Sequence, residues 1–372
     1  LDWAAKGEKY AGFVPFCGNR GDLNYLIGEM IGEMNVGHTY VWGGDYPEGG
    51  DQVSTGMLGA RFDTPAESPF HRIAHIYPGT PWDPSEVSPL TQLGCDIRDH
   101  DYLIAIDGQQ VTSGDNVYAF LQDKVGRLVN VTTNRTPSAE GASTCQVEPI
   151  GGESALQYRE FVEPRRAHVE AASSGEIGYI HIPNMGEAGL SEFAKGWFPQ
   201  VHKQGLIIDV RYNGGGFVAD MIIDRIERRV WSMTQPREGV AGRNPERTFS
   251  GPIVVLINAD SGSNAEFFAE AMKRKGLATV IGTRTWGGSI GIEPHQDLVD
   301  GGLTTPPGFG LYGLDQTWLI EGWGVEPDIV VWNEPAAIVK GVDTQLDAAI
   351  GNVKERLSAP IPAPPAYPDK SK

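Results

Sequence analysis

Residues 252–273 read "PIVVLINADSGSNAEFFAEAMK". A short run of β-branched and leucine residues ends at Asn258. A stretch with apolar positions at helical spacing begins a few residues later. The first run is too short for an independent helix and reads as a buried strand, so the segment is a strand, a turn and a helix. Ser261, Ser263 and Asn264 lie where the helix starts. Backbone N–H groups lack intrahelical partners there, and the helix dipole presents its positive end. Taken alone the stretch is a helix cap, formed by Ser261 or Ser263, with Glu266 completing a capping box from Ser263. The same helix start would also hold an oxyanion formed on an attacked carbonyl. The GxSxG of hydrolase elbows is not present.

The pattern repeats on either side. Upstream, "IGYIHIP" (177–183) is a strand and "LSEFAKGWFPQVHKQG" a helix. "GLIIDVR" (205–211) is a buried strand, and the loop "YNGGG" (212–216) leads into the helical "VADMIIDRIERRVW". Adjacent glycines let backbone approach a ligand closely. A phosphate loop is excluded because GxxxxGK[ST] is lacking. Downstream, "ATVIGTRTWGG" (278–288) is a strand and turn. Strands alternating with helices imply βαβ units.

The N-terminal part differs. "DLNYLIGEMIGEMN" (22–35) places Leu26, Ile27, Met30, Ile31 and Met34 at helical spacing and is expected to end near Gly37, before the short strand and turn of "HTYVWGGD". In the middle, "DYLIAIDGQQV" (101–111) carries an Asp-Gly hairpin cue. "NVYAFLQDKVG" (116–126) reads as a helix and "LVNVTTNR" (128–135) as a strand. "QYREFVEPRRAHVEAASSGE" (157–176) reads as a joint, and "SAPIPAPPAYPDKSK" (358–372) as an extended proline-rich end.

The chain has 372 residues, which predicts two or three domains, and a net charge of −18. That balance argues against a nucleic-acid grip or adsorption to anionic membranes. No apolar run is long enough for a membrane span. Cys17, Cys95 and Cys145 form neither a metal cluster nor a disulfide framework. A Cys95–Cys145 bridge is possible, with buried free thiols the favoured reading. The chain begins at Leu1 and is expected to be processed or a piece of something longer.

Together, "DVRYNGGG", "NADSGSNAEFFAEAMK", "VIGTRTWGGSIG" and "WGVEPDIVV", in that order, resemble the serine peptidase family that includes carboxyl-terminal processing proteases and the tricorn core protease. "GEMNVGHTYV" near the N-terminus is similar to the tricorn branch. The resemblance implies a multi-domain α/β protein: a crotonase-like α/β catalytic domain of β-α-β units, an inserted PDZ-like β domain and an N-terminal helical segment. Expected bounds are 1–50 for the helical segment, 51–155 for the PDZ-like domain, 156–350 for the catalytic domain and 351–372 for the tail.

The resemblance also implies roles. The second serine of S-x-S, Ser263, is the nucleophile. Asn264 supplies one oxyanion N–H and the glycine loop another, at Gly215 with Gly214 next. Carboxyl-terminal processing proteases use a lysine where Gly288 stands; no lysine lies between Lys275 and Lys340, so a Ser–Lys dyad is set aside. The tricorn branch implies His38 as base and Glu321, just before "GVEPD", as the carboxylate that favours its imidazolium. That branch has a serine immediately before the histidine, where this chain has Gly37. Thr39, a water or direct contact from Glu321 are the candidates for the missing link. His181 is the second choice as base, His295 a cleft residue, and Glu293, Glu326 and Asp328 rival carboxylates, Asp328 reading better as a turn residue. The PDZ resemblance rests on "GCDIRDHDYLIAIDGQQV", with His100 where the family has glycine.

The expected function is a tricorn-like serine endopeptidase working through an acyl-enzyme, with no metal and no organic cofactor. It would act on peptides or unfolded polypeptides as a homo-oligomer, with β-propellers upstream in longer relatives. The alternative is a catalytically weak or inactive peptide-binding protein using the PDZ-like module.

Overall fold

The computed structural model describes residues 1–46, 53–80, 83, 86–292 and 296–358. The chain divides into two compact units, one of Leu1–Pro47 with Arg165–Lys372, the other of Glu48–Pro164.

The first unit is built on a parallel sheet. Its strands lie in the order Ile329–Val330, Thr279–Gly282, Ile253–Ile257, Gly205–Asp209, Ile177–His181. The three central and edge strands from 177, 205 and 253 are buried along their whole length, as expected when both sheet faces are covered. One face carries Ile180, Ile208, Val255 and Ile257, packed with Phe193, Trp197, Ile222, Phe268 and Met272 from helices. Alternation along each strand sends Tyr179, Ile207, Val254 and Leu256 to the other face.

The helices, in chain order, are α1 (Trp3–Ala11), α2 (Arg20–Gly32), α3 (Ser154–Ala172), α4 (Glu187–Gln200), α5 (Ala219–Ile226), α6 (Asn264–Arg274), α7 (Pro335–Ile338) and α8 (Thr344–Leu357). Helix α8 packs on the strands from 205, 253 and 279. The N-terminal segment joins this unit through strand Val41–Gly43, paired antiparallel with Gly302–Thr304, and through buried Arg20, which binds Asp300 and Asn24.

The second unit is an antiparallel sheet in the order Ala60–Asp63, His71–Ile76, Tyr102–Ile106, Val129–Asn134, Ser143–Val147. Strand Gln109–Gln110 folds back on Tyr102–Ile106 through Asp107 and Gly108, both at positive φ, as the Asp-Gly cue requires. His100 has φ 75°, so a histidine occupies the left-handed turn where glycine was expected.

Several sequence expectations need correction. Cys95 and Cys145 are disulfide-bonded, with Cα atoms 5.4 Å apart, while Cys17 is free. The cysteines lie 50 residues apart in sequence, and folding brings the loop that holds Cys95 against strand Ser143–Val147. Residues 116–126 form just a short 3-10 turn, Val117–Leu121; Asp123 and Gly126 at positive φ break a longer helix. The expected joint at 157–176 is mostly helix α3, which buries Leu156, Val162 and Val169 despite Pro164 inside it. Helix α2 stops at Gly32, short of Gly37. Residues 351–357 of the expected tail belong to α8. Glu293, His295 and residues 359–372 lie outside the described residues.

Candidate active site

Two loops leave the sheet at the carboxyl ends of neighbouring strands and are stitched together. Ser261 is fully buried; its Oγ donates to Val210 O at 2.8 Å. Gly262 N–H donates to Asn213 O at 2.9 Å, and Tyr212 N–H to Asn258 Oδ1 at 3.0 Å. Asn213, also fully buried, donates from Nδ2 to Ile182 O at 2.9 Å. The S-x-S pair is thereby divided: Ser261 braces the turn, and Ser263 caps α6.

Ser263 is partly accessible and has φ 54° and ψ −124°. L-residues rarely adopt that backbone, and such outliers cluster at active sites. Gly215 lies directly in front: a Cβ there would stand 2.5 Å from Ser263 Cβ and 3.0 Å from Asn264 N. With φ 102° as well, position 215 admits only glycine. The Gly215 N–H donates to Asn213 Oδ1 at 2.9 Å. The N–H groups of Gly214 and Asn264 make no hydrogen bond among the described residues.

Sequence reading gave Glu266 only a capping part. Its carboxylate is fully buried and takes four donors: Ser263 N–H at 2.8 Å, Thr285 Oγ1 at 2.5 Å, Gly287 N–H at 2.7 Å and Gly288 N–H at 3.1 Å. The last three belong to the turn 285–288, which ends at Gly288. The capping box spaced S-x-x-E was a usable signal for the first contact, but not for the others.

His38 reaches the site from the N-terminal segment. Thr305 Oγ1 donates to His38 O at 2.8 Å and accepts from Tyr40 N–H at 2.8 Å, which fixes the backbone at φ 60°. The imidazole packs edge-on against Trp286, centroids 5.5 Å apart. The backbone N–H of Trp286 in turn donates to Ser261 O at 3.1 Å. Burial lowers the His38 pKa, and the negative charges of Glu321 and Glu266 pull it partly back up. His38 Nδ1 is buried with no hydrogen-bond partner among the described residues.

Glu321 is close enough for its charge to act on His38. It accepts from Gly37 N–H at 2.7 Å, Ser289 N–H at 2.7 Å and Ile290 N–H at 2.7 Å. A Cβ at Gly37 would lie 3.2 Å from Glu321 Oε1, so a serine hydroxyl at that position would fall on the carboxylate. Thr39 does not supply the link: its Oγ1 donates to Val36 O at 3.2 Å. The rival groups have other work. His181 is buried against Arg211 O, Asp328 accepts from Val280 N–H at 2.8 Å as a turn residue, and Glu326 is 4.0 Å from Arg284.

Behind the glycine loop, Arg211 is buried and held by Asp209 and Asp343 at 2.7 and 2.8 Å. Asp343 is the cap of α8, so the last helix anchors the residue that precedes the glycine loop.

Residues 176–331 match peptidase family S41, and residues 56–152 match the tricorn protease PDZ domain. The chain belongs to peptidase family S41. Within S41 it lies with the tricorn relatives. It is 35% identical to the tricorn protease of Thermoplasma acidophilum over 94% of this chain and 32% of that one. It is 32% identical to tricorn protease homolog 1 of Streptomyces coelicolor over 99% of this chain and 34% of that one. The crystal structure of the tricorn protease matches with a TM-score of 0.86 at 34% identity, over 95% of this chain and 34% of that chain. A carboxy-terminal-processing protease of Bartonella bacilliformis is 27% identical over 71% of this chain and 60% of that one. The chain spans about a third of the length of the tricorn proteases it matches. No helix among the described residues is long and apolar enough to cross a membrane.

Proposed function

We propose that this S41 chain is a serine endopeptidase that cleaves peptides or unfolded polypeptides through an acyl-enzyme, and that it works as a homo-oligomer. Ser263 attacks the scissile carbonyl. His38 takes the hydroxyl proton and returns it to the leaving amine, and Glu321 steadies the imidazolium. Asn264 N–H and the glycine loop hold the oxyanion. Within the loop Gly214, like Gly216, has an N–H that makes no hydrogen bond among the described residues, while Gly215 clears the space in front of the nucleophile. The observation that carries this reading is the backbone of Ser263, held at φ 54° and ψ −124° at a helix start with Gly215 against it.

A second reading, a weak or inactive peptide-binding protein using the PDZ-like module, is favoured by Gly37 and the unpartnered His38 Nδ1. Fluorophosphonate labelling of the chain and of Ser263→Ala at pH near 8 separates the two. Labelling that depends on Ser263 is expected; labelling that is absent, or equal in both, removes the protease reading.

A further inference from the structure

Helix α5 starts at the active-site loops, where Ala219 N–H donates to Asn264 Oδ1 at 2.9 Å, and runs away from them. Arg225 lies on its last turn, roughly 9 Å along the axis from Ala219. There the guanidinium of Arg225 is 5.0 Å from the centroid of Phe198, at the end of α4, and that of Arg247 is 5.4 Å from the same ring. Arg228 follows three residues after Arg225, exposed just beyond the end of α5.

These three side chains form no ion pair and no hydrogen bond among the described residues, and Nε of Arg225 is buried without a partner. The helix dipole accounts for one arginine near a C-terminus, not for three. In a chain of net charge −18, three adjacent guanidiniums left without a carboxylate are out of keeping with the rest of the surface. Stacking on one ring fixes the planar forks and leaves their N–H groups free for bidentate contact.

We propose that Arg225, Arg228 and Arg247 form an oxyanion-binding site around Phe198, distinct from the catalytic site, for a ligand bearing a carboxylate or phosphate group. The next residue, Thr248, lines a hollow of about 380 Å³ with His202, Lys203, Arg243 and the single carboxylate Glu246, which gives such a ligand room beyond its anionic end.

The test is calorimetric titration at fixed ionic strength, in the Ser263→Ala chain so that peptide is not consumed. Inorganic phosphate, a tetrapeptide with a free terminal carboxylate and its terminal amide are the probes. Saturable binding of phosphate or of the peptide acid is expected, weakened at least tenfold by Arg225→Gln and by Arg247→Gln. Arg284→Gln, which removes a guanidinium 4.3 Å from the Trp323 ring, should leave it unchanged. Tighter binding of phosphate or of the acid tells which source the site takes. No saturable binding of either, or binding unchanged in the Arg225 and Arg247 variants, overturns the site. If Arg225→Gln fails to fold, Arg228→Gln and Arg247→Gln at the exposed positions carry the same comparison.

Discussion

Glu266 and Glu321 grip one turn from two sides: Glu266 takes the N–H groups of Gly287 and Gly288, and Glu321 takes those of Ser289 and Ile290. Glu266 also holds the N–H of Ser263, and Glu321 that of Gly37. The turn is therefore a common rail between Ser263 and the segment that carries His38. Glu266→Gln should misplace both. Turnover should fall by about two orders of magnitude, and stability by ~1–3 kcal/mol for buried N–H groups left unpaired. Steady-state kinetics and urea unfolding measure the two effects; unchanged kcat would remove Glu266 from the machinery.

Gly37→Ser should raise activity. The new hydroxyl would meet Glu321 beside His38, with Gly288 Cα and Glu321 Oε1, 3.1 and 3.2 Å from the new Cβ, both needing to yield slightly. A gain of about tenfold in kcat/KM is expected, the worth of one good hydrogen bond made in the transition state. A drop in activity with the fold intact would show that Glu321 does not act through this path.

The acid limb of the kcat/KM profile should lie below the ordinary histidine value of 6.5, because burial favours neutral His38. The base must be unprotonated, so activity rises with pH through that limb. Glu321→Gln removes a charge that favours the imidazolium, so the limb should move to still lower pH while the plateau falls. A limb above 6.5 in the unmutated chain contradicts the assignment of His38.

Gly215→Ala should abolish Ser263-dependent labelling. The added methyl would stand 2.5 Å from Ser263 Cβ, at a φ of 102° that alanine resists. A loss of about 1–3 kcal/mol in stability should accompany it. Gly214→Ala, whose Cβ would meet nothing within 4 Å, should be far milder.

Asp343→Asn tests the anchor behind the loop. Burial alone would raise the Asp343 carboxyl, but hydrogen bonds and charge from Arg211 overcome it and hold the pKa well below the usual range. A depressed carboxylate contributes stability above its unfolded value and loses it as pH falls, so that contribution should fade below about pH 4. Breaking the buried pair should cost ~3 kcal/mol at neutral pH. The stability gap between the two chains should be smaller at pH 3 than at pH 7, because the carboxylate begins to lose its advantage below its unfolded value; a constant gap refutes the linkage.

What the sequence could convey depended on distance along the chain. Strand 253–257, the turn and α6 were legible because apolar period and helix start are local signals. Glu266 was visible only as a cap, since its bonds to Thr285, Gly287 and Gly288 depend on the parallel crossover from α6 to the strand at 279. His38 could be reached only by resemblance: Thr305 and Glu321, which hold its segment, lie more than two hundred residues away. The Cys95–Cys145 pairing likewise depends on a loop folding back against strand Ser143–Val147 rather than on spacing. Helix α3 was misread because Pro164 and its charges look like a linker, while burial of Leu156, Val162 and Val169 keeps it helical.

The conformation of Ser263 also limits which amino acids evolution can place there. Threonine carries the same hydroxyl and would serve the chemistry, but a β-branched side chain is a severe misfit at φ 54°. Under the proposed role, drift at this position is thereby channelled: a substitution that keeps a nucleophile has cysteine as its unbranched option, and other changes would silence the site.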